Sequence, residues 1–465
     1  TQGNALLVII VLGCGGSFHS GYHVTGLSSP SPYIQHFINS SWYDRYKEPP
    51  GPQKVTMIWS LIVSMYAVGG LFGAVSVKLF SRKLGKRAMI CNSLISVMGA
   101  VIMLTSKTAN SFEMIIVARM LYGYSALGWS LHSMYLGEIS PRKIRGRVTL
   151  TLATFNSLGK LSGQFFGLSE ILGRHDLWNI VLCVPVCFSA VQVLVLPFLP
   201  EAPRYLFIEK RDDKACKRLQ SLWGKGDYKQ EMEEMLIEHM ALEASPPKSP
   251  LRLMRDRTVR WQLITMLVVF SCNQMSGMSA INTFSFDIFL NSGVPKDKIR
   301  YVTLGLGITE ILTSIPCSLL IEHMGRRPLF WGGYAIISAI WIMRTDLSWA
   351  PYVVTSLIFL FIISFCGGPS ELFIQSDCVA AFVLMGLQRW FMFAMVGLIF
   401  PFIIDAFGSY CFMLFAVMSL LGSFYTFFLL PETKGKTLVD ISEEFKAITV
   451  CGKSFLERER VETKL

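Results

Sequence analysis

The residues of this sequence able to do chemistry are polar side chains set inside long apolar runs. Asn273 and Gln274 lie side by side in one run, followed by Ser279 and Asn282. A carboxamide both donates and accepts hydrogen bonds, so this set suits a ligand with adjacent hydroxyls in a desolvated pocket. Three charges sit equally deep in apolar runs: Lys160, Glu310 and Arg389, the last followed by Trp390. An ionised residue at a bilayer centre costs at least about 2.5–3.5 kcal/mol on insertion scales. Each should therefore face a cavity or a partner, and a Glu310–Arg389 pair would cancel both costs. Lys160 lies seven residues beyond Ala153 on nearly the same helix face. Nucleophile–base–acid sets, metal-ligand spacing and a phosphate-binding Gly-rich Lys loop are absent. No enzyme activity, metal, cofactor or ATP drive is expected.

The elements that position these residues follow from composition. Of 465 residues, 52% are hydrophobic and 16% charged, and the mean hydropathy is +0.46. Soluble chains carry about 25% charged residues, and a membrane span needs about 20 mostly apolar ones. Twelve apolar runs occur, near 5–22, 55–79, 88–105, 113–136, 148–168, 177–199, 261–281, 301–321, 329–343, 350–369, 379–404 and 409–430. The expected fold is an all-α membrane protein of twelve transmembrane helices. Its divisions are a six-helix half at 1–200, a linker of short amphipathic helices at 201–260, a second half at 261–432 and a tail at 433–465. The ninth and tenth spans are short, because 328–370 must cross the bilayer twice.

The net charge of +11 is distributed as topology requires. With both termini in the cytosol, 30 Lys and Arg fall in cytosolic segments and 9 in the opposite loops, a strong positive-inside bias. The basic residues thus mark orientation in a lipid bilayer and imply no nucleic-acid partner. The same orientation puts the sequon Asn39-Ser40-Ser41 outside, where Asn39 can be glycosylated. The chain begins without a cleavable signal pattern, so its first run is expected to target the membrane.

Charged residues at the cytosolic run ends recur. Arg82 to Arg87 is echoed by Gly325-Arg326-Arg327, Glu138 by Glu371, and Pro200-Glu201 by Pro431-Glu432. The offset is nearly constant, which implies two parallel repeats, an arrangement used for alternating access. Arg82, Arg87, Arg145, Arg204, Arg326 and Arg327 can pair with Glu138, Glu201, Glu322, Glu371 and Glu432. Such pairs would hold the cytosolic side shut when the other side is open.

Taken in order, these motifs resemble the sugar porter family of the major facilitator superfamily, specifically its facilitative hexose carriers. The resemblance is carried by Gly69-Gly70-Leu71-Phe72-Gly73, Arg82–Arg87, Tyr135-Leu136-Gly137-Glu138 with Arg145-Gly146, Pro200-Glu201-Ala202-Pro203-Arg204-Tyr205, Gln274-Met275-Ser276-Gly277, Gly325-Arg326-Arg327 and Pro431-Glu432-Thr433-Lys434-Gly435. Gly397-Leu398-Ile399-Phe400-Pro401-Phe402 is most similar to the fructose-related subclass. The resemblance implies a major facilitator fold in the cell membrane and a small-molecule sugar substrate, fructose or glucose. It assigns Asn273, Gln274, Ser279 and Trp390 to the sugar site. It also places neutral amides where this chain has Glu310 and Arg389, and a polar residue where it has Leu152-Ala153. The arginine expected seven residues after Glu371 is Cys378. Proton-coupled relatives carry aspartate after a Gly-Tyr pair; here Gly21-Tyr22 is followed by His23, so uniport is expected. Two other readings use the same fold: a carrier of a small organic anion, from Lys160 and Arg389, and a transport-dead receptor or regulatory partner, from the short 328–370.

The topology is checked by glycosidase treatment. Glycosidase should collapse the mobility of the chain expressed in animal cells, and Asn39→Gln should abolish that shift. A cysteine placed at Lys225 should stay unlabelled by an impermeant reagent applied to intact cells.

Overall fold

A computed structural model of the chain describes residues 2–84, 86–139, 145–198, 260–291, 293–324, 332, 334–339, 358, 379–407 and 411–429. Regular structure among them is helical throughout. Helices α1 (Gln2–Gly13) and α2 (His19–Thr25) are joined through a π-helical turn at Cys14–Phe18 into one rod. The rods that follow are α4 (Pro52–Leu84), α5 (Lys86–Thr108), α6 (Phe112–Ser125), α7 (Leu127–Ile139), α8 (Arg145–Phe166), the short α9 (Trp178–Val181) and α10 (Val184–Val195). A second group comprises α11 (Arg260–Gln274), α12 (Met278–Asn291), α13 (Lys296–Met324), α14 (Val379–Phe407) and α15 (Cys411–Leu429). The expected ninth and tenth spans fall largely outside the described residues, as does the linker.

Two features depart from the run boundaries. The polar stretch after the first run contains α3 (Ser31–Tyr46), which starts with Pro32 in its first turn and ends at Lys47 with φ 56°. It is fastened to the α5–α6 turn: Ser41 donates to the Asn110 carbonyl at 2.7 Å, and Arg45 pairs with Glu113 at 2.6 Å. The run 261–281 extends to Asn291 but breaks at Met275–Gly277. Gly277 adopts φ 103° there, a conformation open to glycine at no steric cost.

The surface of the helix groups is apolar. Phe198 and Phe428 are 88% and 70% exposed, alongside Leu194, Leu312, Val417 and Phe424. So continuous an apolar belt is stable only against lipid. Inside it, one core cluster joins Ile62, Tyr66, Ile115, Tyr122 and Trp178 of the first group to Met278, Phe284 and Phe400 of the second. Across the groups α4 packs on α14, α8 on α13 and α2 on α12.

Within the first group, α8 lies against the rod of α1 and α2 because Gly159 has no side chain. A Cβ there would strike the Phe18 carbonyl oxygen and crowd the Tyr22 amide, both backbone atoms that cannot swing aside. Overpacking of this kind costs roughly 1–3 kcal/mol. Gly159→Ala should therefore lower the thermal unfolding midpoint of the detergent-purified protein. Gly51→Ala, which meets nothing within 4 Å, should leave it in place.

Candidate functional site

Glu310 and Lys160 form the most deeply placed ion pair among the described residues. Lys160 Nζ lies 2.5 Å from Glu310 Oε1, with side chains 15% and 11% exposed. Glu310 closes on Lys160 rather than on Arg389, the partner expected from the sequence. The reason is architectural: α13 packs on α8, whereas α14 packs on α4, α11 and α12. Removing one partner of a buried pair typically costs about 3–5 kcal/mol, whereas replacing both by apolar groups is often neutral. One turn on, Gln164 is 4% exposed and rests on Gly307, and its Oε1 has no hydrogen-bond donor. The sequence reading passed over Gln164, although its spacing from Lys160 puts both on one face.

The amide set surrounds the break between α11 and α12. Ser276 Oγ donates to the Asn273 carbonyl at 2.7 Å, and Ser279 Oγ donates to Gln274 Oε1 at 3.1 Å. Gln274 and Ser279 are thus brought together across the break, both partly accessible, while Asn282 is buried. Nearby, Gln388 Nε2 donates to Ser271 Oγ at 2.5 Å and to the Leu267 carbonyl at 2.8 Å, binding α14 to α11. Gln388 too was not singled out from the sequence. Trp390 seats its indole against Gly70 of α4 and meets Tyr66 edge-on, with centroids 5.8 Å apart. Arg389, beside it, is exposed.

Accessibility changes systematically along the inward faces of two helices. On α8, Ala153 is exposed, Lys160 partly buried and Gln164 buried; these positions repeat at seven and four residues and so share a face. On α14, Arg389 is exposed, while Val396 and Phe400, seven and eleven residues on, are buried. Both series close toward the end of the molecule that carries α3.

Polar contacts between the groups seal that end. Ser28 Oγ lies 2.6 Å from Ser285 Oγ and accepts from the Phe286 amide at 3.1 Å. Arg300 donates to Ser29 Oγ at 3.2 Å and to the Tyr33 hydroxyl at 3.0 Å. Tyr301 donates to Glu170 at 2.5 Å, and Thr56 to Asp405 at 3.1 Å. The Tyr301 hydroxyl holds the Glu170 carboxyl below the ordinary carboxylate range.

His23 is packed in the interior. Its ring stacks on Tyr122 with centroids 4.2 Å apart and lies 4.5 Å from the His19 ring. Beside it, fully buried Arg119 donates to the His23 carbonyl at 3.2 Å and sits 4.7 Å over the Tyr66 ring. This cluster belongs to the core of the first group.

Of the charge network, Arg82 lies on α4, Glu138 on α7, Arg145 on α8 and Glu322 on α13, each in the helical stretch nearest the end opposite α3. Arg87 is exposed at the start of α5. Glu201, Arg204, Arg326, Arg327, Glu371 and Glu432 lie outside the described residues. Asn39 is exposed on α3.

Known proteins share this architecture. The chain matches the family model described as sugar (and other) transporter over residues 8–445. It is 39% identical over 460 residues to solute carrier family 2, facilitated glucose transporter member 9 of Mus musculus, covering 95% of this chain and 86% of that one. With member 5 of the same carrier family from Mus musculus it shares 36% identity, covering 94% and 91%, and with member 11 of Homo sapiens 37%, covering 94% and 92%. Among solved structures, the xylose transporter XylE from E. coli in a partially occluded inward-open conformation superposes with a TM-score of 0.76 at 17% identity, covering 94% of this chain and all of that one. These are multi-pass membrane transporters, not enzymes. With polar groups gathered inside an apolar helical shell and a family match along nearly its whole length, the chain belongs to the sugar (and other) transporter family.

Proposed function

We propose that the chain is a facilitative hexose carrier of the cell membrane, moving fructose or glucose down its gradient by alternating access. The observation that carries this reading is the parallel loss of accessibility along α8 and α14. Ala153 and Arg389 are exposed, and Gln164 and Phe400 are buried nearer the α3 end. A passage open on one side and sealed on the other is what alternating access requires of each resting state. The positive-inside count puts α3 outside and both termini in the cytosol, so this state opens inward. The halves are 1–200 and 261–432, joined by the cytosolic segment 201–260 and followed by the tail 433–465.

The chemistry suits a neutral polyol. Gln274 and Ser279 offer paired acceptor and donor atoms at a broken helix, where backbone groups are also freed. Asn273, Asn282 and Trp390 complete the site in this reading. Glu310 contributes its free carboxylate oxygen, and Arg389 borders the entrance. Opposite charges on Lys160 and Glu310 cancel within the wall, which weakens the case for an anionic cargo. The packed His23, already beside the Arg119 cation, favours uniport over proton coupling. The charged helix ends opposite α3 act as the cytosolic gate and re-pair when the chain opens outward.

Uptake into proteoliposomes tests the reading. Labelled fructose or glucose should equilibrate without being concentrated, and an imposed proton gradient should not change the plateau. Concentrative uptake driven by that gradient would overturn uniport, and uptake of neither sugar would overturn the hexose assignment. Gln274→Ala should weaken apparent sugar affinity roughly two- to tenfold, the equivalent of one hydrogen bond. Arg300→Ala removes two bonds of the external seal. It should raise external labelling of a cysteine replacing buried Thr303, one turn below, by roughly the same factor.

A further inference from the structure

We propose that the Lys160–Glu310 pair sets the charge selectivity of this carrier: closed on itself, it presents a neutral wall that admits uncharged sugars and rejects their anionic and cationic analogues. The inference rests on the reading of the chain as a sugar carrier and names the residues that restrict its cargo.

Four observations place the pair on the path. It bridges α8 and α13, one from each group, at 2.5 Å. Its residues lie away from the outward faces of those helices, which carry the exposed Leu158, Phe165, Ile308 and Leu312. Lys160 follows the exposed Ala153 on the inward face and precedes the closed Gln164. Both side chains keep some exposure, 15% and 11%, so the pair forms the floor of the open part rather than part of the sealed core.

Electrostatics supplies the consequence. A cargo bearing charge would meet a wall whose two charges already satisfy one another, and engaging either would strand the other in low dielectric. A neutral hydroxyl can bond to the outer atoms of the pair without separating it. Removing one member changes the wall: without Glu310 the Lys160 ammonium faces the path as an anion site, and without Lys160 the Glu310 carboxylate becomes a cation site. Specificity here comes from the rejection of alternatives.

The test uses the full chain in proteoliposomes with fructose, gluconate, and glucosamine held at a pH where its amine is protonated. Wild type should exclude gluconate and glucosamine. Glu310→Gln should raise the gluconate-to-fructose uptake ratio by about tenfold or more, since a mismatch of charge is worth at least that factor. Lys160→Gln should raise the glucosamine-to-fructose ratio instead. Glu310→Gln combined with Lys160→Gln should lose both gains, because neither charge of the pair remains. Unchanged ratios in folded single variants would overturn the inference. So would an equal gluconate gain in Glu310→Gln and the double variant, which would indicate a merely widened pocket. If the single variants fail to give a monodisperse protein, the reciprocal Lys160→Glu with Glu310→Lys decides: it should still exclude both ions, and leakage of either is fatal. Should wild type carry no hexose, the sugar reading fails by itself. The charge inference is then read from ligand-induced thermal shifts, where gluconate should stabilise Glu310→Gln and not wild type.

Discussion

Lys160 and Glu310 pair across the two helix groups with little access to solvent, and much of the architecture follows from that constraint. In hydrocarbon a charge or hydrogen-bonding group with no partner costs several kcal/mol, so polar atoms inside the helix groups tend to be paired or turned toward an opening. The ion pair is met across the groups, which makes it a contact between bodies rather than a brace within one. Contacts within the first group have another character. Arg119 is wrapped by the His23 carbonyl and the Tyr66 ring, and Gly159 is locked against the Phe18 backbone. These interactions are buried and local, so they stay intact if the group moves as a unit.

The contacts at the α3 end differ again. Beyond the buried Ser28–Ser285 contact, Arg300–Tyr33, Tyr301–Glu170 and Thr56–Asp405 are hydrogen bonds between side chains within reach of water. Each is worth on the order of 1 kcal/mol net, because solvent can replace it. A seal made of several weak and replaceable bonds can open at small cost, whereas an apolar plug of the same area would expose its surface to water. The deep pair and the peripheral seal therefore serve distinct ends: one constrains what lies between the groups, the other holds one side shut reversibly.

Much of this was legible in the sequence. Apolar runs of span length located the helices, since a bilayer leaves the backbone few alternatives, and the ordered motifs identified the family. Glu310 was recognised as needing a partner because its position is deep in an apolar run. Its actual partner was not legible. Periodicity tells which face of a helix a residue occupies, but the neighbour that face meets depends on how helices from distant parts of the chain pack. Here α13 packs on α8, and the cation that meets Glu310 is Lys160. Gln164 and Gln388 escaped notice for a similar reason: a glutamine in an apolar run is ambiguous until its contacts are known. The break at Gly277 was legible only in part. The motif Gln274-Met275-Ser276-Gly277 was recognised, but not the length of helix beyond it, because Phe284, Phe286 and Phe289 sit among polar residues that obscure the span.

Pairing also bears on how such a site could diversify. A neutral amide exchanged for a carboxylate at position 310 would be destabilising alone, as would a lysine introduced alone at position 160, since each leaves a buried charge uncompensated. Together they cancel, so the two positions are coupled in stability before any question of cargo arises. Arg389 stands at the exposed end of the α14 face. The same residue two turns farther on, at Val396, would lie in the closed core. Depth along the helix, more than charge itself, sets how much a residue loses when its partner is removed.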